Sequence, residues 1–252
     1  MKLSTIIIAK DAEVTIRRCI ESVAWAGEIV VVESGSRDRT ADICRELRAT
    51  VHQTADWPGF GPQKNRALGL AAGEWVLSLD SDEWVTPELR AEIERAIAAP
   101  GGRSAFRIPR RSSFCGRTMR HSGWWPDYVL RLFRRGAARF SDDLAHERLI
   151  PGGAVGTLTQ PILHEAVSDL DQMLVKMNAY STAGARMFHE KGRRASLLKA
   201  LLHGGWAFFR TYFLRAGFLD GREGLMLAIA NAEGSYYRYL KLMLLADRSG
   251  KQ

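Results

Sequence analysis

Cysteine is scarce in this 252-residue chain, and its placement excludes more than its number does. Cys19, Cys44 and Cys115 form no CxxC pair and no even framework. A zinc ribbon and a disulfide scaffold are therefore ruled out, and a reducing compartment is expected. No charge-free apolar run reaches the roughly 18 residues of a membrane-spanning helix. The longest candidate, 197–219, is broken by Lys199, Arg210 and Arg215. Leu3–Ala9 follows Lys2 directly; it is too short for a secretory signal and lacks the small-residue cleavage pattern. The patterns GxGxxG and GxxxxGKS/T are absent, which disfavours a dinucleotide site and a P-loop. Low-complexity segments and internal repeats are missing as well.

What is present is the composition of a folded protein, with 46% hydrophobic and 25% charged residues. The length allows one sizeable domain, or one domain with a long appendage. The net charge of +8 is unevenly spread: residues 1–100 hold 12 Lys and Arg against 16 Asp and Glu, and residues 101–252 hold 24 against 12. The basic half calls for an anionic partner: nucleic acid, a membrane surface or a phosphorylated substrate.

The first hundred residues alternate. Leu3–Ala9, Glu28–Glu33, Thr50–Gln53 and Glu74–Asp80 read as strands, the first a β-branched run suited to a buried parallel position. Helices are expected over 11–23, 39–48, 62–72 and 87–98, the last begun by Thr86 and Pro87. This spacing predicts a mainly parallel sheet with helices on both faces. After Pro100-Gly101-Gly102, short strands are expected at 105–108, 128–133 and 156–159, as a mixed extension of the same sheet. From Asp169 onward three helices are expected, over 169–190, 195–214 and 224–246.

Ligands of such sheets bind at the carboxyl ends of the strands. Three ends here are polar: Ala9-Lys10-Asp11, Glu33-Ser34-Gly35-Ser36 and Asp80-Ser81-Asp82-Glu83. Directly after an apolar strand, Asp80 and Asp82 point to one side and leave room for a hard divalent cation. The competing reading is a solvated acidic turn that caps the next helix. Glu33 can accept hydrogen bonds from a base or ribose, and the Gly35-Ser36 turn offers N–H groups to an anion; it also reads as a plain turn before a helix.

The opening IIIAKDAE…RRCIESVAWAGEIVVVESGSRDRTADI, followed by WPGFGPQKNRALGLAAGEWVLSLDSDEWV, resembles a family 2 glycosyltransferase with the GT-A fold. With GWWPDYVLRLFRR, AHERL, PILHEAV and GFLDGREG, the set is similar to the branch that adds glucose to the lipopolysaccharide core, a β-1,4-glucosyltransferase-like group. The resemblance covers nearly the whole chain. It implies a GT-A catalytic domain over 1–166, with a nucleotide-binding half (1–100) and an acceptor half (101–166). A C-terminal helical region would follow over 167–252, either associating with a membrane or packed on the domain.

The resemblance also implies an inverting hexosyltransferase with a nucleotide-sugar donor, UDP-glucose, and Mg²⁺ or Mn²⁺. Ala9, Lys10, Glu13, Glu33, Gly35, Gln63, Lys64, Asn65, Asp80, Ser81 and Gly123 would bind the donor. Asp80 and Asp82 would form the DxD motif, with His164 completing the metal set; read alone, a histidine after Ile162-Leu163 is more often structural. Glu147 matches the catalytic base, with Asp127 the second candidate; the bland alternative for Glu147 is an ion pair with an arginine. The chain departs from the family at Glu33, where Asp is usual, and at Ala9-Lys10-Asp11, where Thr-Lys-Asn is common.

Residues 103–139 hold ten arginines, no lysine and one acid, Asp127. Arginine binds phosphate in bidentate fashion, so nucleic acid and a phosphorylated lipid-linked saccharide both fit. No RNA-binding, zinc-finger or helix-turn-helix pattern supports the first. Within 195–214, Lys199, His203, Trp206 and Arg210 share one stripe, opposite Leu198, Leu201, Phe208, Phe209 and Tyr212. That helix either packs on the catalytic domain or lies on an anionic membrane, with the enzyme peripheral on the cytoplasmic face of the inner membrane. The rivals are a glycosyltransferase acting on another polysaccharide lipid or a peptide, and a non-catalytic nucleic-acid- or membrane-binding protein.

Overall fold

The computed structural model describes residues 2–141 and 148–249. Strand β1 (Leu3–Ala9) is buried at every position. A β-branched run with no polar face suits the middle of a parallel sheet. It pairs in parallel on both sides, with β2 (Glu28–Glu33) and β4 (Trp75–Asp80); β3 (Thr50–Gln53) extends the sheet beyond β2, again in parallel. Alternation along β1 sends Leu3, Ile7 and Ala9 to one face and Ile6 and Ile8 to the other. The first face packs on Ile16 and Ile20 of α1 (Ile16–Ser22) and on Leu89 and Ile93 of α4 (Pro87–Ala98). Ala67 of α3 (Phe60–Leu70) packs on the second. Helix α2 (Thr40–Glu46) adds Ile43 and Cys44 to the first core.

Helix α1 starts later than its apolar spacing suggests. Asp11 has a left-handed backbone (φ 48°), and the Ala12 N–H donates to Thr40 Oγ1 at 2.7 Å, so residues 11–13 belong to a loop tied to the turn after β2. The start of α4 is as expected, with Thr86 Oγ1 accepting from the Leu89 N–H.

The later strands are β5 (Glu83–Trp84), β6 (Ala105–Phe114), β7 (Arg117–Thr118), β8 (Asp127–Arg134), β9 (Ala138–Phe140), β10 (Leu149–Pro151), β11 (Val155–Thr157) and β12 (Ile162–Val167). The main sheet runs β3-β2-β1-β4-β8-β6-β12-β5, with β7 and β11 attached to β6; β9 and β10 form a separate ribbon. Pairing turns antiparallel from β4 to β8 and stays so between β8 and β6. β6 is ten residues long where four were expected, because Arg107 and the Pro109-Arg110-Arg111 run mask its alternation.

The chain divides into two compact units, Met1–Arg110 with Asp127–His164, and Arg111–Pro126 with Glu165–Gln252. The division is discontinuous in sequence, so 111–126 groups with the helices rather than with its neighbours in the chain. The second unit holds α5 (Leu170–Glu190), α6 (Leu197–Phe209), a π-helical turn (Arg210–Leu214), a 3₁₀ turn (Gly217–Asp220) and α7 (Gly221–Ser249). Helix α7 packs on both α5 and α6. Buried Asp220 ties 111–126 in place by accepting from the Arg120 and His121 N–H groups and from Ser122 Oγ, each at 3.0 Å. Phe114, Met119, Val167 and Leu227 form this unit's own small core.

The helix expected over 195–214 buries neither of the arcs read from the sequence. Its inward residues are Ala200, Gly204, Ala207 and Thr211, small enough to let α7 come close. Its last turn is π-wound, with the Arg215 N–H donating to the Arg210 carbonyl five residues back at 2.9 Å.

Candidate active site

The carboxyl ends of β1, β2 and β4 are level, because Ala9 pairs with Glu33 and Ile8 with Asp80. The loops after β1 and β2 are laced together. The Asp11 N–H donates to Ser36 Oγ (2.9 Å), the Glu13 N–H to Asp38 Oδ2 (3.0 Å), the Arg37 N–H to Asp11 Oδ1 (2.8 Å) and the Arg39 N–H to Glu13 Oε2 (3.1 Å). Glu33 is almost fully buried and works inside this lattice, accepting from the Ser36 N–H and from Gln53 Nε2 (3.1 Å). Burial alone would raise its carboxyl; the hydrogen bonds from Ser36, Gln53 and Gly35 outweigh that and lower it. Lys10 is exposed, and Gly35 (φ 72°) has open space around its Cα.

The end of β4 carries a dense charge network. Lys64, on α3 and buried, places Nζ 2.7 Å from Asp80 Oδ1. Arg131, on β8 and buried, takes Asp80 Oδ2 through Nη2 and also reaches Glu83 Oε1 at 2.8 Å. Glu83 has no exposed side-chain surface; its Oε2 accepts from the Asp80 N–H at 3.0 Å. Arg110 bridges Glu83 (3.4 Å) to Asp127 Oδ2, which it grips through Nη2 (2.7 Å) and Nε (2.9 Å). Burial would raise the Asp80 carboxyl, but the charges of Arg131 and Lys64 hold it well below the usual carboxylate range. Burial would likewise lower Arg131, while Asp80 and Glu83 keep it firmly protonated. On α1, Cys19 lies behind this turn, its Sγ 3.5 Å from the Asp80 carbonyl; burial first, then Glu83, Asp82 and Asp80, push its thiol well up.

Asp82 and His164 meet through a strand pair only two residues long. β5 pairs antiparallel with β12, His164 stands opposite Glu83, and His164 Nε2 comes to 3.6 Å from Asp82 Oδ2. Among the described residues no cluster of three or more His, Cys, Asp or Glu forms a complete cation cage. A carboxylate and an imidazole side by side do fit a divalent cation whose remaining oxygens come from a bound ligand and water. Asp80 is differently engaged, since both of its oxygens face cations.

The structure thus brings Ala9, Glu33, Lys64, Asp80, Ser81, Asp82, Asp127 and His164 into one unit with Lys10, Glu13 and Gly35. Gln63 donates to Ser34 Oγ (2.8 Å) and Thr54 Oγ1 (2.6 Å). Asn65 uses both ends of its amide on the Phe140 backbone, at 3.0 Å each. Gly123 belongs to the second unit; at φ 81°, its Cβ would lie 2.4 Å from Arg215 Nη1. Glu147 lies outside the described residues, as do Asp142 and Asp143. Sequence reasoning missed Glu83, Arg110 and Arg131 as members of the network. A signal was there for Arg131, a lone charge between Leu130 and Leu132 in an apolar strand.

Residues 4–151 match the family model for Glycosyl transferase family 2. The chain is a family 2 glycosyltransferase. The enzyme is 30% identical to the lipopolysaccharide core biosynthesis glycosyltransferase LpsC of Rhizobium meliloti (strain 1021), over 95% of its own length and 93% of that protein's. It is 28% identical to the uncharacterized glycosyltransferase RC0292 of Rickettsia conorii, over 99% and 92% of the two chains. Among solved structures, TarS 1–349 of S. aureus superposes with a TM-score of 0.52 at 16% identity, covering 99% of the enzyme and 92% of TarS. The fold is therefore GT-A, a mixed sheet with helices and a C-terminal helical extension. The family match spans β1 to β10 and includes Asp80, Asp82 and Asp127, while His164 lies beyond it.

Proposed function

We propose that the enzyme is an inverting, cation-dependent hexosyltransferase that moves glucose from UDP-glucose to a lipopolysaccharide-core or related surface-glycan acceptor. The observation that carries this reading is the approach of Asp82 to His164 beside the Lys64–Asp80–Arg131–Glu83 network, at the carboxyl end of β4. LpsC's name, over nearly the full length of both chains, supports the surface-glycan acceptor. A UDP-sugar donor accords with TarS, solved with UDP and with UDP-GlcNAc. A phosphorylated, lipid-linked acceptor at the cytoplasmic face of the membrane suits the exposed arginines of 103–139, such as Arg103, Arg120 and Arg139; Arg110 and Arg131 are taken up by carboxylates.

In this mechanism Ala9, Lys10, Glu13, Gly35 and Ser81 line the nucleotide at the strand ends. Glu33 shapes the turn that carries Gly35. Asp82 and His164 would hold Mg²⁺ or Mn²⁺, which supplies Lewis-acid neutralisation of the leaving diphosphate. Lys64 and Arg131, fixed by Asp80 and Glu83, keep positive charge near the same strand end without having to reorganise. The acceptor hydroxyl oxygen attacks C1 from the face opposite the diphosphate and gives its proton to a carboxylate. The C1–O bond breaks, and its electron pair leaves on the nucleoside diphosphate. Glu147 is assigned this proton on resemblance alone, with Asp127, held by Arg110, as its alternative.

The test is turnover of UDP-glucose with Mn²⁺ by purified enzyme. Asp82→Ala removes several kcal/mol of charge stabilisation and should lower kcat by about a hundredfold or more. Glu147→Gln should lower it comparably, while leaving UDP binding in place. Unchanged turnover in both variants would sink the mechanism.

A further inference from the structure

Helix α6 is inverted in its burial. Its inward residues are small: Ala200, Gly204 and Ala207, continued by Thr211 in the π turn. At Gly204 a Cβ would come within 3.2 Å of the Ala232 carbonyl on α7, so the helices meet almost backbone to backbone. The large side chains face outward. Leu198, Leu202, Trp206, Phe209, Phe213 and Leu214 are between 46% and 66% exposed. They form a continuous ridge, with ring centroids 6.0 Å apart for Trp206 and Phe209 and 5.4 Å for Phe209 and Phe213. The wide π turn keeps Phe213 and Leu214 outward with Phe209, and exposed Phe218 and Leu219 continue the surface through the 3₁₀ turn.

Scattered exposed leucines are ordinary, whereas a contiguous apolar ridge marks an interaction surface. Charge selects the occupant. Residues 191–219 contain Lys191, Arg193, Arg194, Lys199, Arg210 and Arg215, and no Asp or Glu. Pairing with a second copy would bring this positive segment against itself. An anionic bilayer satisfies both features, taking the apolar ridge into its acyl boundary and the cations among its phosphates. No described helix is long and apolar enough to cross a membrane, so the element would lie in the plane of the surface.

We propose that α6 and the two turns after it form an interfacial anchor for an anionic membrane leaflet. The anchor inserts Leu198, Leu202, Trp206, Phe209, Phe213 and Leu214, and Lys199, Arg210 and Arg215 flank the contact. This deepens the lipid-linked acceptor reading, and it is separable from it because vesicle binding requires no sugar donor.

The experiment is flotation of the full chain with vesicles of phosphatidylethanolamine and phosphatidylglycerol, against phosphatidylcholine alone. The chain should partition at least about tenfold more strongly onto the anionic vesicles, and less so as salt is added. Each large side chain withdrawn from the acyl boundary weakens binding, so Leu202→Ser with Phe209→Ser should cost about tenfold or more. Both sites are exposed, so circular dichroism and UDP-glucose turnover should match the unaltered enzyme. Equal flotation of the variant, or no preference for anionic vesicles, overturns the anchor. So does a dimer in light scattering that the same two substitutions dissolve, since the ridge would then be an interface between copies. An unaltered enzyme that floats with anionic vesicles as expected but turns over no UDP-glucose would count against the catalytic reading and leave the anchor standing.

Discussion

Burying a guanidinium between two leucines costs free energy unless the charge is matched. Arg131 is matched by Asp80 and Glu83, and Lys64 completes the set. Removing Arg131 leaves Asp80 with Lys64 alone and Glu83 with only the longer contact to Arg110, and breaking such a buried set costs about 3–5 kcal/mol. Arg131→Met should therefore destabilise the enzyme by that order in urea unfolding. Arg131→Met combined with Glu83→Gln should cost less than the single change, because no buried carboxylate is left at Glu83 with only the longer Arg110 contact. Equal losses in the two would mean that Arg131 acts through Asp80 alone. The Asp80-Ser81-Asp82 turn was legible at this scale and His164 only through the family resemblance, while Arg131 was missed. Asp80 and Asp82 are neighbours in sequence, whereas Arg131 and His164 arrive from distant strands through pairings that no local pattern records.

At the scale of elements, the parallel half of the sheet was readable because its strands are apolar runs and α4 carries its own start signal in Thr86 and Pro87. The antiparallel half was harder. β5 and β7 have two residues each, too short to show any period, yet β5 is the element that brings Asp82 to His164. α6 misled for another reason. A hydrophobic stripe is ordinarily the buried stripe, and here the buried face is marked by small residues. The GFLDGREG segment, legible only as a motif, is a junction: Asp220 satisfies three donors of 120–122, and at Gly224 a Cβ would come within 1.9 Å of the Gly217 carbonyl. Asp220→Ala strips acceptors from two buried or half-buried N–H groups and one hydroxyl. It should cost about 2–4 kcal/mol, read as a lowered urea midpoint. A midpoint equal to that of the unaltered enzyme would show that water replaces the carboxylate there.

At the scale of the whole molecule, acid is the weak side. Glu33 and Asp38 hold the loops after β1 and β2 together, and the hydrogen bonds they accept outweigh burial and lower both carboxyls from their ordinary 4.5 and 3.8. A lowered folded value stabilises the fold above the unfolded pKa and loses that contribution as pH falls through the folded one. Urea midpoints should hold from neutrality to about pH 5 and fall below that. Glu33→Gln should flatten part of the fall, and an unchanged slope would remove Glu33 from the account. The discontinuous division of the chain has a consequence for dissection. The polypeptide leaves the first unit after Arg110, returns at Asp127 and leaves again after His164. The second unit is thus assembled from two separate stretches of the chain. A protein ended at His164 would retain Phe114 and Met119 without Val167 and Leu227, their partners in a common core. Trimming away the helices would thus open half of that core to water.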